Sequence, residues 1–544
     1  MKLQQYNSML NFKSNNKTQP RQSRDTQFRI LSPKSQNLCN PFVNYELNFN
    51  ILKAKSSGLT IVSKLLIVGI GMVLPFLSPI FASEPYNNIY GFYGERSAGL
   101  SGAFTAISDD PSGAYYNPAG LAFAHQDGFS ISASNYKTAD RKYKNIDTPG
   151  QVYTQSHQGL DPNFVGILKS FDTWKFGFSI VNTYNLTYDR TDQVNYPLVS
   201  PTINQTRNYL KQNDSQILVG PSASFLITDK LAFGTTLYYL QDVKKSSRTQ
   251  FQQFTNNTYV MRSFIDNRQT SGLLPIIGLQ YQAMDKLSFG LSLRRIIVTG
   301  GNRLYNEVYV DSIRGSGRSS VDFIEGTQTN FTSIEGGIIS QKPKLIGSIP
   351  ETTELRFGTA YFPSSKLLAS FDIIYTSGFK SFREQNEIQS QGARWNYIVN
   401  DKEIRELTRI STLNFAFGTE YYLADTFAIS AGFYTNNANT KPISWTESAI
   451  DLGLQNYNSN QLKATSGNGS ITYQIPRSGT NPRNEYSNNR GISLGISWVT
   501  SKSSISLTYI KEIGNGNSRI DPNSLSQAFE YNAQTLYVMV SSRN

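Results

Sequence analysis

From residue 128 onward the chain alternates apolar and polar positions with a period of two, the pattern of strands with one greasy face. In "KLSFGLSLRR", Leu287, Phe289, Leu291 and Leu293 fall on one face, and Ser288, Gly290, Ser292 and Arg294 on the other. Likewise Ile492, Leu494, Ile496 and Trp498 oppose Ser493, Gly495 and Ser497, and Ile505, Leu507 and Tyr509 oppose Ser504, Ser506 and Thr508. Five segments share one plan of strand, short turn and strand: "GPSASFLITDKLAFGTTLYY", "IIGLQYQAMDKLSFGLSLRR", "LRFGTAYFPSSKLLASFDIIY", "LNFAFGTEYYLADTFAISAGFYT" and "ISLGISWVTSKSSISLTYI". "FVGILKSFDTWKFGFSIVNTY" is a sixth, less regular copy. Single strands near 128–136 and 534–541 flank the six hairpins, which makes fourteen strands.

One offset is constant along the series. An aromatic residue stands five positions before the last turn residue: Phe225/Lys230, Tyr281/Lys286, Tyr361/Lys366, Tyr421/Thr426 and Trp498/Ser503. Rings held at one height beside each turn describe the girdle of a membrane barrel, where the ring is greasy and its tip is wet. The fold class predicted is therefore all-β: a 14-stranded antiparallel transmembrane β-barrel over residues 128–544. Its apolar face meets lipid and its small polar face lines the lumen. Glycines recur on the lumen parity (Gly220, Gly234, Gly278, Gly290, Gly358, Gly418, Gly432) and are expected to leave volume inside. The connections at the other end run to roughly 20–55 residues rich in Asn, Ser and Gln, the expected asymmetry of short inner turns and long outer loops. The fourth, near 299–351, contains "VDFIEG" and "IEGGIISQKPKLIGSIP", apolar enough for part of a ligand groove or for packing on its neighbours.

The front of the chain reads differently. Lys53, Lys55 and Lys64 precede an apolar run from Leu65 to Ala82 that ends "SPIFASEP", so residues 53–83 read as a secretory signal, cleaved after Ala82 or Ser83. A membrane anchor is the alternative; Pro75 and Pro79 weigh against it. Residues 1–52 form an Asn/Gln/Ser-rich upstream extension, expected to be absent from the mature protein. Residues 1–83 hold ten Lys/Arg against two Asp/Glu, so most of the net charge of +12 resides there, and basicity is no argument for nucleic acid. The single cysteine, Cys39, lies in the same region. Residues 84–544 therefore have no disulfide or thiol chemistry.

Between signal and first strand, residues 84–127 are dominated by small residues and breakers, as in "DDPSGAYYNPAGLA". Such a segment cannot build its own core, but it can pack compactly in a lumen too wide for side chains alone to fill. An N-terminal plug (hatch) inside the barrel is the expectation. Asn117 before Pro118 favours an extended bond and can cap neighbouring backbone groups.

"AISDDPSGAYYNPAGLA" resembles the N-terminal signature of the long-chain fatty acid transporter (FadL/TodX-like) family of outer-membrane proteins. Asn117, Pro118 and Ala119, followed by Gly120, match its hatch motif. The resemblance is specific over some 35 residues and architectural elsewhere. It implies passive uptake of hydrophobic molecules such as long-chain fatty acids across the bacterial outer membrane. It also implies a plugged lumen and sideways exit at an irregularity in the third strand. That strand, "KFGFSIVNTYNLTYDR", has no Pro and only Gly177 to offer. The lead-in "GFYGERSAGLSGAFTAISDD" is also similar to PorV-like secretion-associated proteins, which gives an alternative reading as a shuttle or binding module. An open porin or an adhesin would share the barrel. The chain ends "VMVSSRN" instead of in the aromatic residue many such barrels carry.

Catalysis finds little footing. His125 and His157 are the only histidines; neither has metal-ligand spacing, and the one G-x-S-x-G match, at Gly491–Gly495, puts Ser493 inside an alternating strand. No catalytic residue, cofactor or metal is expected. Of the lumen-parity charges Arg294, Arg356, Asp372 and Glu420, the arginines are candidate contacts for a ligand headgroup, and mutual pairing is the alternative. The partners implied are hydrophobic small molecules and outer-membrane lipid or lipopolysaccharide, with no nucleic acid, and the state expected is a monomer.

Overall fold

The structure is a computed structural model that describes residues 86–124, 127–144, 152–161, 163–195, 203–254, 259–311, 329–335, 349–379, 409–442, 485–500, 502–518 and 526–543, with short stretches between 382 and 475. The upstream extension, the signal region, His125 and most of the apolar part of the fourth outer connection lie outside the described residues.

Fourteen strands close one antiparallel circuit. They are β1 (Gly128–Lys144), β3 (Phe164–Phe171), β4 (Trp174–Asn195), β5 (Ile203–Thr228), β6 (Leu231–Phe254), β7 (Tyr259–Met284) and β8 (Leu287–Arg295). The circuit continues through β11 (Thr353–Ser364), β12 (Leu367–Thr376), β17 (Thr412–Ala424), β18 (Phe427–Asn436), β21 (Glu485–Val499), β22 (Ser503–Ser518) and β23 (Gln527–Arg543). β23 returns to pair with β1 from Gly128↔Arg543 to Lys144↔Ala528, which closes the circuit. Further strands extend the wall at its outer end: β2 (Val152–Asp161) on β1, β9 (Ile297–Asp311) on β7, and β10 (Thr329–Glu335), β14 (Ile388–Gly392) and β15 (Asn396–Val399) beyond it. β13 (Phe382–Glu384) pairs with β16 (Ile404–Glu406), and β19 (Asn460–Ser466) with β20 (Gly469–Ile475).

The two faces separate as the alternation predicts. Phe176, Phe178, Ile180, Leu291, Leu293, Phe357, Phe417, Ile492, Leu494 and Leu507 are exposed, while Ser179, Ser288, Ser292, Ser370, Ser493, Ser506 and Thr508 are buried. On β4 the outward apolar run stops at Ile180, on β5 at Ile217 and on β6 at Tyr239, a band of the height that tilted strands need to cross hydrocarbon. Leu291→Arg is therefore expected to lower folding stability in bilayers by about 2–4 kcal/mol, as for a cation in the lipid face of a barrel. Urea titration in vesicles measures it; a change near zero, as at an ordinary solvated position, would contradict the lipid-facing assignment.

The constant aromatic offset has a structural cause. The residue after four of the five rings donates its backbone N–H to the last turn residue of the preceding hairpin: Gln282 to Lys230 O at 2.8 Å, Phe362 to Lys286 O at 2.8 Å, Tyr422 to Lys366 O at 2.9 Å and Val499 to Thr426 O at 2.9 Å. Each hairpin thus fixes the height of the next ring. Phe225, Tyr281, Tyr361 and Tyr421 also share a register shift just beyond the ring. Trp498 keeps the offset only by counting, since Ser503 already belongs to β22 and this hairpin has no shift.

Two expectations need correction. The outer connections on either side of the β5–β6 hairpin are largely strand, not loop. β4 runs to Asn195, β5 resumes at Ile203, and β6 and β7 stay paired from Leu231↔Tyr281 to Gln253↔Tyr259. Above the apolar band a sheet in water needs no greasy face, so Asn, Ser, Thr and Gln carry the ladder on without an alternation to announce it. Nor do the lumen glycines leave empty volume: residues 86–124 lie against all of those named but Gly220. A Cβ at Gly234 would stand 2.3 Å from the Pro118 carbonyl carbon, at Gly290 2.1 Å from Thr105 O, and at Gly418 2.6 Å from Leu100 Cβ.

Candidate functional site

Residues 86–124 are almost wholly buried, with helices only at Glu95–Gly99 and Gly113–Tyr116 and a 3-10 turn at Pro118–Phe123. Gly102 takes φ +83, and a Cβ there would stand 2.6 Å from the Phe92 ring, so both backbone and space call for glycine. The stretch from Tyr86 to Ile89 runs along β18 and its continuation. Asn87 Nδ2 donates to Asn436 O and Ser487 O, Asn436 Nδ2 donates to Ile89 O, and Asn439 N donates to Tyr86 O. At the inner end Asp127 accepts from Lys169 Nζ at 2.5 Å and from Ser170 N at 2.7 Å, and these partners hold its carboxyl down to about 2.

Asn117 is fully buried. Its amide donates to Thr105 O at 2.8 Å and to Leu279 O of β7 at 3.0 Å, and its Oδ1 accepts from Ala119 N at 3.2 Å, capping the turn that Pro118 opens. Ala119 and Gly120 pack where larger side chains would collide: a Cβ on Gly120 would lie 2.6 Å from Ser108 O.

Four anchors built on charged side chains tie the segment to the wall. Arg96 donates to Asp109 at 2.9 and 3.1 Å and to Glu420 Oε2 of β17 at 3.1 and 3.0 Å, and Tyr422 OH also donates to Glu420. Asp372 of β12 accepts from Phe104 N at 3.2 Å, Thr105 N at 3.1 Å and Thr105 Oγ1 at 2.6 Å. Glu95 accepts from Ser504 and Ser541. The fourth joins Arg294 and Arg356, which both donate to Glu354. Arg294 also covers the Tyr115 ring, 4.3 Å from its centre, and Arg356 faces that of Tyr116 at 5.4 Å. The terminal amines of Arg356 donate to nothing among the described residues. Sequence reading named neither Arg96 nor Glu354.

The third barrel strand is irregular after all, six residues beyond Gly177. A bulge between Asn182 and Tyr184 leaves Thr183 unpaired in the β4–β5 register. Thr183 Oγ1 donates to Gln216 Oε1 at 2.7 Å, and its carbonyl accepts from Tyr93 OH at 3.1 Å. Side-chain partners replace the lost ladder, so neither Pro nor Gly is required. The last rung toward β3 is Asn182 N to Asn163 O at 2.9 Å. Beyond it, among the described residues, β4 pairs only with β5, while β2 pairs with β1. A short wall strand thus sits beside a bulged one at the top of the apolar band. A cluster of Tyr93, Tyr115, Tyr116, Leu240, Leu274 and Ile276 lies in the same half of the lumen.

The model of the family described as outer membrane protein transport protein (OMPP1/FadL/TodX) matches residues 95–444. The chain belongs to this family. Its fold is similar to that of a Pseudomonas aeruginosa FadL homologue (12% identity, 86% of this chain and 99% of the other, TM-score 0.50). It is likewise similar to the P. putida toluene transporter TodX (12% identity, 84% and 99%, TM-score 0.50). Among curated proteins, none matches. Membership makes this an outer-membrane β-barrel channel for hydrophobic molecules, from a family of transporters and not of enzymes. It does not favour the PorV-like alternative.

Proposed function

We propose that the protein takes up hydrophobic molecules such as long-chain fatty acids by passive diffusion, with residues 84–127 as a hatch and the gap above the Thr183 bulge as the exit to the bilayer. The observation that carries this reading is the pairing of β4, which keeps one partner above Asn182 at the outer limit of the apolar band. A ligand leaving there enters hydrocarbon without crossing the polar floor. The hatch and the gap also touch, through the hydrogen bond from Tyr93 to the Thr183 carbonyl. Asn117, Pro118, Ala119 and Gly120 hold the hatch on β6 and β7. Arg356, whose terminal amines donate to nothing among the described residues, is the group suited to receive a carboxylate head, and Arg294 serves chiefly to hold Tyr115 and Glu354. The closed circuit supports a monomer, and the polar ladders above the band lie at the height of lipopolysaccharide sugars.

Deleting Thr183 restores an unbroken register between β4 and β5. Whole-cell uptake of a labelled long-chain fatty acid is expected to fall to the level of cells lacking the protein, at equal surface expression. Undiminished uptake by the folded variant would remove the gap from the pathway.

A further inference from the structure

The bulge does more than interrupt pairing. By strand parity Tyr184 would follow Phe178, Ile180 and Asn182 to the outer face; the extra residue turns it inward, opposite Gln216. Its hydroxyl donates to Asp242 Oδ1, which Gln216 Nε2 also approaches at 3.4 Å. Asp242 is fully buried, and Lys244 Nζ stands 4.0 Å from its other oxygen. The Tyr184 ring meets that of Tyr90 edge-on, with centres 5.2 Å apart. Tyr90 belongs to the N-terminal stretch that Asn436 holds through Ile89.

We propose that Tyr184 is the gate of the side opening and Asp242 its selectivity element. Together they pass hydrophobic molecules whose head is a neutral hydrogen-bond donor, namely alcohols, phenols and protonated carboxylic acids, and hold back permanent anions. This rests on the exit assigned above. When Tyr184 swings aside, Asp242 Oδ1 loses its phenol donor and keeps only a long contact to Gln216 among the bonds described to that oxygen, and weakening the hydrogen bonds of a buried carboxylate is costly. A ligand hydroxyl replaces the phenol as donor, so the open state is stabilised while such a head passes. A sulfonate offers no proton and brings a like charge against Asp242, a juxtaposition that disfavours the wrong partner strongly. Sites that hydrogen-bond a hydroxyl discriminate by this logic more sharply than greasy pockets discriminate by size. The ring of Tyr90 adds a second condition: withdrawal of the N-terminal stretch removes the support on which Tyr184 leans.

The test is uptake into proteoliposomes of two labelled probes of equal chain length, a long-chain primary alcohol and an alkyl sulfonate, by the full barrel and by three variants. The parent is expected to favour the alcohol by about a hundredfold or more, the scale of one unfavourable charge contact. Asp242→Asn is expected to erase that preference by admitting the sulfonate. Tyr184→Phe keeps the ring but not the hydroxyl, and is expected to speed both probes while preserving their ratio. The Thr183 deletion separates the two levels of the argument. If it abolishes uptake of both probes while Asp242→Asn leaves the ratio unchanged, the exit stands and the selectivity proposal is overturned. If the deletion leaves uptake intact, the exit itself falls and the gate with it. Circular dichroism and the heat-dependent gel shift establish that each variant is folded.

Discussion

Replacing Gly278 by valine is expected to make the protein conduct ions. A Cβ at this position would lie 2.0 Å from Asn117 Oδ1 and 3.1 Å from Ala119 N. No rotamer of Asn117 relieves the contact cheaply, because the same side chain bonds to Thr105, Leu279 and Ala119. One of the two bodies has to give way. β7 is laddered on both sides, to β6 over its whole length and to β8 and β9 in turn, whereas residues 113–124 form only a short helix and a 3-10 turn that share no ladder with the wall. Segments with few ladder bonds open at lower free energy than sheet cores. The turn at Pro118–Phe123 should therefore leave the wall and uncover a passage past the buried hydroxyls of Ser222 and Ser224. Single-channel recording in planar bilayers measures the effect: steady conductance in the variant, brief or no events in the parent. Gly220→Ala is the control, since a Cβ there meets Leu237 O of the neighbouring strand at 2.1 Å. It should weaken the barrel without opening it. A folded Gly278→Val barrel that stayed closed would mean that residues 86–124 do not obstruct the lumen.

The barrel was legible because hydrocarbon imposes a period of two on every stave, and Leu291 and Ser292 carry that rule without exception. The ring height was legible too, since the bond from Gln282 to Lys230, repeated around the wall, fixes it. Above the band that constraint ends. The ladders of β5 and β6 continue on side chains such as Lys211 and Ser247, which no alternation distinguishes from loop. The Thr183 bulge was illegible for the same reason. It begins where outward apolar residues stop, and it is held by Gln216 and Tyr93, remote in sequence. Arg96 left a trace that sequence reading passed over. It is the one cation between Glu84 and Ala124, among four acidic residues, and in a segment of small residues a lone cation is obliged to find a buried partner. Which acid would come from the wall, Glu420 of β17, depended on closure of the circuit.

That cation carries the second large effect. Arg96→Ala would leave Asp109 and Glu420 facing one another with no cation between them, in a site where both carboxylates are largely buried. Removing one partner of a buried ion pair costs about 3–5 kcal/mol, more than the pair itself contributes, because the charge left behind has lost its water. The barrel does not need Arg96 to close, so the loss should fall on the segment. Amide exchange across residues 97–108 is expected to accelerate by about a hundredfold or more, with the amides of β17 and β18 little changed. Arg96→Lys keeps the charge but not the fork that reaches Asp109 and Glu420 together, and should fall between. Adding Glu420→Gln to Arg96→Ala removes one stranded charge and should restore part of the protection, which a general loss of packing would not do. Exchange in Arg96→Ala indistinguishable from the parent would mean that the clamp does not hold the segment, and its grip would then have to come from the remaining anchors, Asn117, Asp372 and Glu95 among them.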